Sequence, residues 1–219
     1  MRILNLYCGI GGNRKLWGDE HEVVAIENEP KIAKIYKDFF PTDEVIVTDA
    51  HEYLLNHYKE FDFIWSSPPC PSHSRVRKYS AVARGQNEAV FPDMKLYEEI
   101  LFLQGYFKGK FCVENVIAWY EPLVKPIKLG RHFFWTNFDI EQKDFKGKNH
   151  LDKQSDLQRV KGMDISKYNI GIRKDKILRN CVEPEVGEYI FQQAYKIEAK
   201  TPATLGLEDL LVNPKGEEK

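Results

Sequence analysis

Short, uniformly apolar runs alternate with stretches of helical spacing through the first half of the chain. Residues 2–7 (RILNLY), 23–27 (VVAIE), 45–47 (VIV), 61–65 (FDFIW) and 111–114 (FCVE) are short apolar runs and read as buried strands. Between them, residues 31–40 (KIAKIYKDFF), 51–58 (HEYLLNHY) and 94–107 carry apolar positions at helical spacing, with Pro30 suited to a first turn. Residues 14–18 are read as the start of a further helix after the first strand. The rhythm predicts an α/β fold, a mostly parallel sheet with helices on both faces.

The pattern weakens after Tyr120. Residues 132–138 (HFFWTNF) read as a strand, 139–176 are polar, lysine-rich and poorly periodic, and 184–196 regain helical spacing. The expected organisation is a core over 1–138, a small separate region over 139–176, a segment returning to the core over 177–199, and a polar tail over 200–219.

Composition narrows the class. With 219 residues, 42% hydrophobic and 30% charged, the chain is long enough for one substantial core and is not of disordered type. The formal net charge of −1 offers no global attraction to nucleic acid, so such binding would rest on local patches. Cys8, Cys70, Cys112 and Cys181 lie far apart with no CxxC pair, which argues against a metal site or a disulfide framework and for a reducing, cytoplasmic setting. No signal peptide and no membrane-spanning run are expected.

Three groups carry candidate chemistry. In Tyr7-Cys8-Gly9-Ile10-Gly11-Gly12, glycines after the first strand permit a tight turn and the close approach of a ligand. Glu27 ends the second strand and can accept both hydroxyls of a ribose; Asp49 follows the third and can accept from an adenine amino group. Together they point to an adenosine-containing cofactor, either S-adenosylmethionine or a dinucleotide. After the fourth strand, Pro68-Pro69 hold Cys70 in a stiff turn at the edge where α/β sheets bind ligands. A single cysteine is more often a small buried hydrophobe than a nucleophile. Glu114, closing the fifth strand, would lie beside it if those strands pair, and a thiol beside a carboxyl group suits covalent catalysis with proton donation.

The ordered set Gly9-x-Gly11-Gly12, Glu27-Asn28, Asp49, Pro68-Pro69-Cys70, Glu114-Asn115-Val116, Arg131 and Arg179-Asn180-Cys181-Val182-Glu183-Pro184 resembles the DNA cytosine-5 methyltransferase family, from Met1 to about Tyr195. The resemblance implies a Rossmann-like S-adenosylmethionine-dependent methyltransferase fold. It implies cofactor contacts from Tyr7, Gly9, Ile10, Gly11, Glu27, Asn28, Asp49, Ala50, Pro68, Asn180 and Val182. It also implies that Cys70 adds to carbon 6 of cytosine, that Glu114 holds the amino group and ring nitrogen 3, and that Arg131 binds the ring carbonyl. The target base would be flipped out of DNA. Phage or restriction-modification enzymes are the expected context, with no metal.

Departures from the family pattern bear on the substrate. Pro71 stands where the family has Gln, Ile127-Lys128-Leu129-Gly130-Arg131 keeps only the last arginine of its element, and Arg179 replaces a glycine. Asn5 and Tyr7 replace the commoner Asp and Phe beside the glycine turn. The target-recognition region can occupy only residues 139–176. Immediately after the nucleophile, His73–Gln86 carries Arg75, Arg77, Lys78 and Arg84 and no acid, an expected phosphate-contacting loop. The same chemistry on RNA or a free cytidine nucleotide, and a non-catalytic binding module, are the alternatives. Cys70, Glu114 and Arg131 together count against the module.

Overall fold

The computed structural model describes residues 1–75, 79, 85, 91–145 and 153–196. In chain order the elements are β1 (Arg2–Leu6), β2 (Glu22–Ile26), α1 (Pro30–Phe39), β3 (Glu44–Ile46), α2 (Ala50–His57), β4 (Phe63–Ser66) and α3 (Lys95–Tyr106). They continue with β5 (Lys110–Val116), β6 (Ile127–Leu129), β7 (His132–Thr136), α4 (Gln154–Lys161), α5 (Lys174–Asn180) and α6 (Pro184–Ala194). Among the described residues the strands form one seven-stranded sheet in the order β3-β2-β1-β4-β5-β7-β6. The first five are parallel; β7 runs antiparallel to β5, and β6 antiparallel to β7. The fold is Rossmann-like α/β, as the alternation predicts.

Strand order reverses at β1, which has β2 on one side and β4 on the other. The loops leaving β1 and β4 therefore diverge and open a crevice at the carboxyl edge of the sheet. Leu6 pairs with both Ile26 and Ser66, and Ser66 with Val113. That register brings the residues just beyond them, Tyr7, Glu27, Ser67 and Glu114, to one edge.

Side-chain alternation along the strands sorts the core into layers. Leu4, Leu6, Val24, Ile26, Ile64, Phe111 and Val113 face α2 and α3, meeting Leu54, Tyr97, Ile100 and Leu103. Ile3, Val23, Phe63, Trp65 and Cys112 face the other way, onto Trp17 and the α6 residues Val186, Ile190 and Phe191. Ala25 joins Ile35 and Tyr36 of α1 in a third cluster completed by Leu157, Met163, Ile165, Ile177 and Leu178.

Three expectations are corrected. No helix forms over 14–18; residues 12–16 make successive turns instead. Arg14, 1% exposed, is drawn inward by a two-pronged contact with Asp43 (2.9 and 3.0 Å) and donates to Gly18 O, while Trp17 Nε1 donates to Gly187 O. These long-range anchors fix the segment in a form that helical spacing cannot report. Second, residues 139–176, polar and poorly periodic by pattern, contain α4 and the first three residues of α5. Both helices are short, and their few apolar residues are spent on the third cluster rather than repeated as a stripe. Third, β6 makes a hairpin with β7 where the sequence predicted only the second strand.

Candidate active site

The first wall of the crevice is the turn after β1. Tyr7 follows β1 in the left-handed region (φ 53°), a conformation that costs a non-glycine residue about 1–3 kcal/mol. Its hydroxyl donates to Glu99 Oε1 at 2.6 Å, and burial raises its pKa, with the Glu99 charge adding to it. Gly9 is also left-handed (φ 54°), and a β-carbon placed on it would touch nothing within 4 Å, so the space above the turn is open. Gly12 is the reverse case: a β-carbon there would lie 2.2 Å from Cys181 Sγ and 2.4 Å from Val182 O. Only glycine lets the returning segment close on the turn. Ile10 is buried, and Gly11 lies against Phe40 and Tyr36.

The carboxylates predicted from the sequence stand at this edge. Glu27 Oε2 accepts from Gly9 N (3.1 Å) and Oε1 from Glu29 N (3.0 Å). Burial raises its pKa, partly offset by backbone N–H groups of Glu29, Gly9 and Asn28. A carboxylate offers about four acceptor positions, so capacity remains for ligand hydroxyls. Asp49 is exposed and caps α2, Oδ1 accepting from Glu52 N at 2.9 Å, with Ala50 buried behind it. Asn28 is exposed beyond β2. Val182 is buried against Gly12, while Asn180 ends α5 as an exposed residue.

The second wall is the Cys70 loop, which is pinned at several points. Asn115 Nδ2 donates to Pro68 O (3.0 Å) and its Oδ1 accepts from Val116 N (2.9 Å), so the asparagine beside Glu114 ties β5 to the loop. Cys70 O accepts from His73 N and Ser74 N. Farther on, Trp119 Nε1 donates to Ser72 O, Arg75 Nε donates to Ala118 O, and His73 Nδ1 lies 2.5 Å from the Tyr120 hydroxyl. Cys70 is half-buried, whereas Cys8, Cys112 and Cys181 are buried. The Cys70 thiol is pushed up by burial first and by the Glu114 charge second, with Lys176 pulling the other way. Glu114 closes the strand that Asn115 ties to this loop.

Glu114 is buried, and its Oε1 lies 3.6 Å from His132 Nε2. His132 opens β7 and pairs with Val116, the last residue of β5. Arg131 precedes it in the hairpin turn, exposed, just beyond the end of β5. Arg75 is exposed, with its Nε engaged on Ala118 O; Arg77, Lys78 and Arg84 lie outside the described residues. Among the described residues no group of three or more His, Cys, Asp or Glu could hold a metal ion, and no helix is long and apolar enough to cross a membrane.

Sequence reasoning missed three groups here. Glu99, fully buried, receives the Tyr7 and Ser66 hydroxyls (2.6 Å each) and lies 3.1 Å from His51 Nδ1. Lys161, 4% exposed, reaches Glu183 Oε1 at 3.1 Å and donates to Cys181 O. His132 is the third. None has a local sequence signal, because each partner comes from a distant element.

A family model described as C-5 cytosine-specific DNA methylase matches residues 1–116. No curated protein matches the chain. Among solved structures, a methyltransferase of Entamoeba histolytica is similar at 13% identity and a TM-score of 0.43, over 67% of this chain and 57% of that one. A hypothetical protein of Thermus thermophilus is similar at 16% identity and TM-score 0.41, over 62% of this chain and 73% of its own. An S-adenosylmethionine-dependent methyltransferase of Agrobacterium tumefaciens follows at 12% identity and TM-score 0.34, over 55% and 40%.

Proposed function

We propose, from the premise that this chain belongs to the C-5 cytosine-specific DNA methylase family, that it methylates carbon 5 of cytosine in DNA through a transient bond from Cys70. The observation that carries the reading is the half-buried Cys70 thiol on a loop whose Pro68 O accepts from Asn115 Nδ2, which ties it to the strand end that bears buried Glu114.

S-adenosylmethionine suits the opposite wall. The open space over Gly9 and the residual acceptor capacity of Glu27 fit an adenosyl ribose, with Asp49 and Tyr7 flanking it. When bound, that cofactor supplies an electrophilic methyl group.

The chain's own residues supply the rest. Carbon 5 of cytosine is weakly nucleophilic while the ring is aromatic, and thiolate addition at carbon 6 makes it enamine-like. Cys70 forms that bond as its S–H bond breaks, and Glu114 relays the thiol's proton to ring nitrogen 3, so the displaced electron pair has somewhere to go. Arg131, beyond the end of β5, binds the ring carbonyl. The resting thiol is held protonated partly by the charge of Glu114. Once Glu114 carries or shares a proton with the base, that repulsion lifts, and thiolate formation is coupled to cytosine entry. Water then takes the carbon-5 proton, its electron pair expels the sulfur, and the nitrogen proton returns through Glu114 to the Cys70 thiolate.

DNA containing 5-fluorocytosine should trap a methylated adduct on the Cys70 peptide after one turnover, because fluorine cannot leave as a proton does. Cys70→Ser should abolish it, since a hydroxyl is a far weaker nucleophile near neutral pH. Glu114→Gln should keep cofactor binding and lose about 10²-fold or more in turnover. An adduct on Cys8, Cys112 or Cys181 would refute the assignment. Parallel assays on duplex DNA, single-stranded DNA, tRNA and cytidine monophosphate identify the substrate; methylation confined to the last two would move the chemistry off DNA.

A further inference from the structure

From Pro69 to Arg75, where the chain passes through Cys70, His73 alone is buried (1% exposed). Its backbone closes the turn at the thiol: its N–H donates to Cys70 O at 3.0 Å, and its carbonyl accepts from Trp119 N at 3.1 Å. Ser72 O accepts from Trp119 Nε1, and Ser74 bridges Ala118, so the turn lies against residues 118–120, just after the strand that bears Glu114. The imidazole reaches inward to the Tyr120 hydroxyl, with Nδ1 at 2.5 Å. Leu123 N donates to the Tyr97 hydroxyl (3.3 Å), and that hydroxyl donates to Tyr120 (3.2 Å). This relay leaves the Tyr120 hydrogen for His73, so Nδ1 accepts and the neutral ring carries its hydrogen on Nε2. Nε2 is buried with no hydrogen-bond partner among the described residues. An imidazolium here would give up its acceptor at Nδ1 and bury a charge. Burial accordingly lowers the His73 pKa, against the charge and backbone of Asp93.

We propose that His73, as a neutral imidazole held by the Tyr120 hydroxyl, is a positioning residue that sets the Cys70 turn against the segment leaving β5. The inference rests on the cytosine reading above for the role of Cys70 and deepens it. His73 touches no reacting atom; it acts through the Cys70 carbonyl that its backbone holds. Tyr120 faces the ring from the segment after β5, with Tyr97 of α3 behind it, and Asp93 faces it from the approach to α3. On its own segment Arg75 is turned to Ala118 O. As pH falls through the lowered value of His73, a proton fills Nδ1, the Tyr120 contact is lost and the turn loosens. Positioning is therefore complete above that value and absent below it.

The test is the rate at which iodoacetamide alkylates Cys70, followed by peptide mass spectrometry, with kcat for cytosine methylation and KM for DNA measured alongside. Cys8, Cys112 and Cys181 are buried, so the probe reads Cys70. Tyr120→Phe removes the hydroxyl and keeps the ring, while His73→Phe keeps a ring and removes the acceptor. Each should raise alkylation about tenfold at neutral pH, by relieving burial of the thiol, and lower kcat about tenfold with KM within about twofold. The double variant should match either single one. His73→Asn puts an amide oxygen where Nδ1 accepts and should restore the wild-type rate at neutral pH. Below neutral, its alkylation should fall about tenfold per pH unit with the thiolate fraction, whereas the wild type should fall less steeply as the turn loosens. Wild-type alkylation in folded Tyr120→Phe and His73→Phe, or a double variant in which the two effects multiply, overturns the proposal and leaves the cytosine reading standing. If the alkylation results hold but the wild-type protein forms no 5-methylcytosine on any nucleic acid or nucleotide, the cytosine reading falls and His73 keeps its role.

Discussion

Tyr7, His51 and Ser66 converge on Glu99, a carboxylate with no exposed surface, reached from β1, α2 and β4. A buried charge is tolerable only when donors surround it, and here three elements supply them. His51 is raised above the ordinary histidine value, first by its hydrogen bond to Glu99 and against the opposing effect of burial. A raised folded-state value favours the imidazolium in the native protein. Its contribution is therefore complete below the unfolded value and lost as pH rises through the folded one. Urea unfolding of His51→Gln should show a stability deficit of about 1–3 kcal/mol near pH 5.5 that shrinks near pH 8.5. An equal deficit at both pH values would show that the contact is not charge-assisted. The residue also illustrates a limit of sequence reading: nothing near His51 in the chain announces Glu99, 48 positions away.

At the scale of elements, the segment between β1 and β2 is held by one buried ion pair. Arg14 and Asp43 are each 1% exposed, and Asp43 also receives the Tyr36 hydroxyl at 2.8 Å. Asp43→Ala strands a guanidinium in the core and should cost about 3–5 kcal/mol in denaturant unfolding. A double replacement, Arg14→Met with Asp43→Leu, should recover most of that loss, because it removes both charges together. A double mutant as unstable as the single would mean the pair stabilises by more than avoiding a stranded charge. Elements whose stability comes from a repeated apolar pattern were legible in advance, α1 and the central strands above all. The 12–16 turns, α4 and α5 were not, because their form is set by contacts far off in the chain: Asp43 for the turns, and the α1 face for the helices. The site divides the same way. Glu27, Cys70 and Glu114 were legible because strand ends and a stiff turn mark them, whereas His132 and Lys161 acquire meaning only once β5 and β7 pair and the chain returns.

For the molecule as a whole, a formal charge of −1 leaves any attraction to a polyanion to local geometry. Arg75 is exposed on the pinned loop beside Cys70, with Arg77 two residues on. Replacing both by Ala should weaken DNA binding and reduce the slope of log K against log salt by up to about two, roughly one per lost phosphate contact. Cofactor affinity, which the proposed function assigns to the opposite wall, should barely change. An unaltered slope would reassign Arg75 to its hydrogen bond with Ala118 O and nothing more.

The seating of α6 on β1, β4 and Trp17 bears on how the chain is made. Val186, Ile190 and Phe191 cover Phe63, Trp65 and Trp17, with Trp17 and Phe191 stacked at 5.2 Å between centroids. During synthesis the sheet's opposite face, under α2 and α3, can be covered early; this face stays bare until the residues of α6 have emerged. A nascent chain halted before Pro184 would present an aromatic surface suited to chaperone capture. A purified fragment ending at Glu183, mixed with a peptide of residues 184–196, should regain native-like tryptophan fluorescence only in the presence of that peptide. The 1–116 stretch that carries the family signature thus holds β1 and β4 but not the helix that covers their second face.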